Sequence, residues 1–265
     1  MTTTLAVANQ KGGVAKTTSV ASIGAALAEL GHKVLLVDLD PQACLTFSLG
    51  IDPEDLELSV HHVLTKGLDP IEVIIETDDG VDLLPATIEL ARAEADLLTR
   101  TGREHVIKTS LEMLEDSELD YDWVLLDCPP SLGVLTVAAL TAADGVLVPL
   151  QCETLSHRGV GQLLDTVHDV RRFTNRGLEV WGVLPTLYDG RTNHARTVLE
   201  TISETYELEV VEPPIPKTIR FAEAPAAGRS ILATSRSSKG AKAYREVATN
   251  LVTRAGRPRK PTRGR

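Results

Sequence analysis

The sequence predicts an α/β fold: a mostly parallel, twisted sheet of about seven or eight strands with helices on both faces. Short apolar runs alternate with segments of helical periodicity along most of the 265 residues, the mark of strands joined by helical crossovers. Runs such as "KVLLVDLD" (33–40) are apolar without alternation, so both sides of the sheet are covered. Polar residues gather at the ends of these runs (Gln10, Lys11, Asp38, Asp40, Asp127, Gln151, Glu153), where parallel strands present groups to a ligand crevice.

In chain order, "TLAVANQ" (4–10) reads as the first strand. "TTSVASIGAALAEL" (17–30) has apolar residues at helical spacing and stops at Gly31, a natural C-cap. Residues 33–40 and 122–130 are strong strands and 80–86 a weaker one, while 145–151, 178–186 and 208–216 continue the sheet. Helices are expected over 88–98, 104–116, 132–142, 157–174, 192–206 and 238–254.

The length suits one domain over 1–253, followed by "RAGRPRKPTRGR" (254–265), an Arg- and Pro-rich tail expected to be basic and disordered. With no apolar stretch of about 18 residues, a transmembrane helix is not expected. "MTTTLAVANQ" lacks the charged region and cleavage site of a signal peptide. Cys44, Cys128 and Cys152 are widely spaced and odd in number, as befits reduced packing thiols in a cytosol. The net charge of −10 hides a split: 12 Lys/Arg against 30 Asp/Glu in 1–190, and 15 against 7 in 191–265. A basic C-terminal third suggests a surface for an anionic partner.

"KGGVAKTT" (11–18) sits between the first strand and the first helix. There free N–H groups and the helix dipole favour an anion. Gly12 and Gly13 can let the main chain approach phosphate oxygens, Lys16 would reach the β- and γ-phosphates, and the Thr17 hydroxyl would complete a Mg²⁺ shell. Thr18 is expected to contact phosphate through its N–H. The G-x-x-x-x-G-K-[ST] spacing is not met, because Gln10 and Ala15 hold the glycine positions. Ala15 is expected to have a compatible geometry, either a negative φ or room for a methyl group.

"NQKGGVAKTT" resembles the deviant Walker A motif, K-G-G-x-x-K-[ST], of the ParA/MinD family of P-loop ATPases. In that pattern the position of Ala15 is usually glycine but is not strictly required. "VDLDPQACLTFSLG" (37–50) resembles the family's switch I, and "YDWVLLDCPPSLG" (121–133) its Walker B and switch II. "VLVPLQCE" (146–153) follows the family's next strand, and "IPKTIRFAEAPAAGRSIL" (215–232) resembles the loop that closes over adenine.

The resemblance implies a fold of the P-loop NTPase type, an ATPase that uses ATP and Mg²⁺, and a homodimer formed on ATP binding. The nucleotide would lie against Lys11, Gly12, Gly13, Val14, Ala15, Lys16, Thr17, Thr18, Pro214 and Pro216. Lys11 would reach the partner subunit's nucleotide. Asp40 would orient the attacking water, and Thr17, Asp38 and Asp127 would serve the metal. Short chromosome-type members bind non-specific DNA and answer to a ParB-like stimulator, which implies a cytoplasmic, nucleoid-associated protein that segregates a chromosome or plasmid. Lys217, Arg220, Lys239 and Lys242 are the candidate DNA contacts. A MinD-like membrane-cycling ATPase, or one that positions a non-DNA cargo, is the alternative. The Arg-, Pro- and Gly-ended C-terminus lacks the apolar face that stable membrane association requires.

Overall fold

The structure is a computed structural model and describes residues 2–115, 117, 119–152, 156–190 and 193–256. Seven strands form the sheet: β1 (Thr3–Val7), β2 (Val34–Asp38), β3 (Ile75–Glu76), β4 (Asp82–Leu84), β5 (Trp123–Asp127), β6 (Gly145–Gln151) and β7 (Glu179–Thr186). Their order is β3-β4-β2-β5-β1-β6-β7. All neighbouring pairs are parallel except β3 with β4. From β1 the chain moves to β2 on one side and later to β6 and β7 on the other. The carboxyl end of β1 therefore lies at the reversal of strand order, where open α/β sheets bind ligands.

The unbroken apolar runs serve two separate cores, and alternate residues of each strand divide between them as the two-residue pleat requires. Leu5, Val7, Leu36 and Leu125 face one side, together with helices α1 (Lys16–Glu29) and, near the C-terminus, α11 (Lys239–Ala255). Ala6, Leu35, Val37, Val124 and Leu126 face the other. There the cover comes from α3 (Val60–Lys66), α4 (Leu90–Leu97), α5 (Val106–Glu115), α6 (Val134–Ala142), α7 (Ser156–Phe173) and α8 (Asn193–Tyr206). The remaining helices are short: α2 (Cys44–Ser48), α9 (Arg220–Glu223) and α10 (Ile231–Thr234).

Residues 208–216 do not form the expected strand; among the described residues they make isolated bridges, Val183 with Val210 and Tyr188 with Pro216. The cause is Pro213, Pro214 and Pro216, which have no N–H to give to a ladder. β3 was not anticipated: it folds back on β4 through a turn in which Gly80 has φ +72°. α11 continues through Ala255, so the first two residues of the expected tail are helical, and 257–265 lie outside the described residues.

Candidate nucleotide site

The loop between β1 and α1 is built to hold an anion. Ala15 occupies the N-cap of α1 without a side-chain cap, and the first backbone bond of the helix runs from the Ser19 N–H to the Ala15 carbonyl. The N–H groups of Lys16, Thr17 and Thr18 precede that bond at the positive end of the helix dipole. Gly13 has φ +72°, and a Cβ on either Gly12 or Gly13 would meet nothing within 4 Å. Open space therefore lies before both glycines, as an incoming phosphate requires.

Ala15 departs from expectation. Its φ is +62° and ψ 36°, so the backbone is left-handed and, of the two expected geometries, the negative φ is excluded. The loop needs the glycine conformation here and imposes it on an alanine, at a cost of about 1 kcal/mol.

Side chains from other elements fix the loop. Asn9 donates to the Pro149 carbonyl at 2.7 Å and accepts from the Lys11 N–H at 3.0 Å. The Thr186 hydroxyl at the end of β7 donates to the Val14 carbonyl at 2.9 Å. Lys16 is buried, and its Nζ donates to the Lys11 carbonyl at 3.3 Å. Burial lowers the Lys16 pKa, while the Asp127 carboxylate pulls it upward.

Two carboxylates stand side by side at the ends of neighbouring strands, because Asp38 and Asp127 are register partners. Their environments differ. Both Asp127 oxygens are buried without a hydrogen-bond partner of normal geometry. Burial and then the Asp38 carboxyl push the Asp127 pKa well above the usual range, while the Thr17 hydroxyl and Lys16 ammonium oppose this. A buried, bare carboxylate beside the phosphate lysine fits a divalent cation.

Asp38 is also fully buried, yet both of its oxygens are engaged. Oδ1 accepts from the Asp40 N–H at 3.1 Å, and Oδ2 accepts from the Thr46 N–H at 2.9 Å and hydroxyl at 2.8 Å. Asp38, expected among the metal ligands, is thus tied to the Asp40–Thr46 segment by three hydrogen bonds. Among the described residues no group of three or more His, Cys, Asp or Glu is arranged to hold a metal by itself. Mg²⁺ seldom has an all-protein cage and takes ligands from substrate phosphates. Thr17 and Asp127 are the residues that would hold it.

Asp40 is partly exposed and begins a turn, accepting from the Gln42 N–H at 3.0 Å. Pro214 and Pro216 lie beside the carboxyl end of β7: the Ile215 N–H meets the Pro185 carbonyl and the Tyr188 N–H meets the Ile215 carbonyl. They thus stand next to Thr186, which anchors the phosphate loop.

Of the basic candidates, Lys217, Arg220, Lys239 and Lys242 are all exposed. Phe221 packs against Gly240, where a Cβ would come within 2.7 Å of the ring. That contact brings Arg220 on α9 near Lys239 on α11. Arg220 is already paired with Glu223 at 2.8 Å. Cys128 and Cys152 are buried and their thiols are pushed up by burial, Cys152 to about 11, which makes both unreactive. Thr46, Thr186 and Asn9 were not singled out in the sequence, because isolated hydroxyl and amide residues carry no periodic or motif signal.

Residues 2–180 match the AAA-domain family AAA_31. The sporulation initiation inhibitor protein Soj of Bacillus subtilis is 42% identical over 249 residues, which cover 94% of this chain and 97% of that protein. The chromosome-partitioning ATPase Soj of Thermus thermophilus is 43% identical over 250 residues, 94% of this chain and 95% of that one. Among solved structures, cobyrinic acid a,c-diamide synthase from Mycobacterium smegmatis with bound ADP and magnesium is 55% identical, with TM-score 0.86 and full coverage of both chains. The same protein has been solved with an ATP analogue and magnesium.

Proposed function

The chain belongs to the AAA-domain family of the Soj and ParA P-loop ATPases, and from that premise we propose that it is a DNA-partitioning switch whose ATP-bound form is a dimer. The observation that carries the chemistry is a buried Lys16 at the uncapped start of α1, within electrostatic reach of the bare Asp127 carboxylate. Phosphoryl transfer to water is governed by positioning and charge neutralisation. Lys16 and the N–H groups of Gly13 to Thr18 bind the phosphates. Thr17 and Asp127 would hold Mg²⁺, which when bound would neutralise charge on the phosphate oxygens. Asp40 orients the attacking water. Lys11 reaches the partner subunit's triphosphate and supplies charge as an arginine finger does, an effect on the order of 10³ in rate. Pro214 and Pro216 border the adenine.

Dimerisation is the output in this reading. Two copies present Lys217, Arg220, Lys239 and Lys242 twice over, which raises affinity for non-specific DNA. A ParB-like partner accelerates hydrolysis and resets the cycle, placing the protein on the nucleoid in the cytoplasm. The partitioning names of the relatives support this cargo. Against a MinD-like membrane cycle, the apolar face of α11 is occupied: Tyr244, Val247, Ala248 and Leu251 are buried. No helix of the described residues is long and apolar enough to cross a membrane.

Three variants test the cycle. Lys16→Ala should lose nucleotide binding, Asp40→Ala should bind ATP and remain dimeric, and Lys11→Ala should bind ATP yet elute as a monomer. Dimerisation of Lys11→Ala with ATP would remove the trans role.

The name carried by the 55%-identical structure supports a second reading, ATP-dependent amidation of carboxylates on cobyrinic acid. Phosphate release with cobyrinic acid and an ammonia donor, compared with release on adding DNA, separates the two.

A further inference from the structure

Helix α2 has five residues, Cys44 to Ser48, and its N-cap is Ala43, whose φ of +50° is left-handed and whose side chain caps nothing. A helix this short is not stable by itself. What ends it cleanly comes from elsewhere in the fold. The Thr46 N–H, third in the helix, donates to Asp38 Oδ2, so a carboxylate on β2 takes the place of a local cap. The Asp38 Oδ1 atom accepts the Asp40 N–H. One buried carboxylate therefore holds both ends of the segment that carries Asp40.

Thr46 is the other half of this clasp. It is fully buried, its hydroxyl donates to Asp38 Oδ2 at 2.8 Å, and its own Oγ1 accepts the Ala86 N–H at 3.0 Å. Through it the Asp40 loop is tied to the end of β2 and to the segment after β4. Asp127, one strand away, has no such bonds. The two adjacent carboxylates thus differ in what they do: Asp127 is left bare in the phosphate-loop site, and Asp38 orders the loop beside it.

We infer that Thr46 is a positioning residue for hydrolysis, acting through Asp38 to hold Asp40 where water is to be oriented. The inference rests on the proposed role of Asp40. Displacing a reacting group by about 1 Å costs on the order of 100-fold in rate, so a loosened clasp should lower turnover more than affinity.

The test is steady-state ATPase kinetics on the full chain with Mg²⁺. Thr46→Val, which keeps the shape and removes the hydroxyl, should lower kcat about 10-fold or more with the ATP KM within about twofold, and Thr46→Ser should restore most of it. In the double variant with Asp40→Ala, the loss from Thr46→Val should vanish, because both act on one group. An unchanged kcat in Thr46→Val, or equal losses in kcat and ATP binding, overturns the inference. So does a multiplicative loss in the double variant. If Thr46→Val does not fold, Asp38→Asn replaces it and must show the same split between kcat and KM. Parental hydrolysis by Asp40→Ala alone instead sinks the role of Asp40, a separate failure.

Discussion

Ala15 bears a conformation that glycine adopts without penalty. Its φ of +62° is set by the loop closing onto Thr186 and by α1 starting at Lys16. Ala15→Gly relieves about 1 kcal/mol of left-handed strain and gives back about 0.5 kcal/mol through the freer unfolded chain. A small net gain in stability is therefore expected from urea unfolding, whereas Gly13→Ala, at φ +72°, should lose about 1 kcal/mol. The paired carboxylates give a second expectation. Burial first, and neighbouring charge after it, lifts Asp38 from 3.8 to about 6, and Asp127 moves the same way. The folded chain then keeps protons that the unfolded chain has lost, so stability present at low pH is lost as pH rises from about 4 through about 6 and, for Asp127, beyond. Without nucleotide or magnesium, Asp127→Asn should gain stability over the parent between about pH 5 and about pH 8. Urea midpoints with equal pH dependence in both chains would refute this.

Helix α11 lies on α1 and joins the C-terminal third of the chain to the phosphate-binding helix. The contact includes a buried polar pair, Ser19 Oγ with Tyr244 OH at 3.0 Å, inside an otherwise apolar cluster. Tyr244→Phe leaves the Ser19 hydroxyl unpaired and should cost about 1 to 3 kcal/mol in unfolding experiments. Adding Ser19→Ala should recover part of that loss. β1, α1, β2 and β5 were legible because long apolar runs and a Gly31 stop leave few other readings. α2 was hidden, since a tertiary contact from Asp38 rather than any local propensity sustains its five residues. Residues 208–216 misled because their apolar content resembled a strand while three prolines removed its donors. Strand ends carried the acidic residues as read, but only the hydrogen bonds distinguish bare Asp127 from engaged Asp38.

Across the whole molecule, much of the basic excess of the C-terminal third holds the chain together. Arg229 pairs with Asp79 at 2.9 Å, and Arg245 pairs with Glu29, each joining the basic third to the acidic remainder. Arg254 pairs with Glu209 and also donates to the carbonyls of Trp181 and Val180 on β7. These arginines serve the fold, so the basic excess overstates what is available to the proposed DNA partner. Lys239 and Lys242 stand one turn apart on α11 and are exposed. On the proposed dimer, Lys239→Ala with Lys242→Ala removes four candidate phosphate contacts, and the slope of log affinity against log salt should fall by about 3 to 4. Measuring this in the Asp40→Ala background keeps ATP and the dimer constant. Arg220→Ala should change the slope less than either lysine, because its guanidinium is already engaged by Glu223. An unchanged slope in the double lysine variant would place DNA elsewhere. The acidic body would still repel a phosphate backbone, and that leaves the segment from Lys217 as the next surface to neutralise.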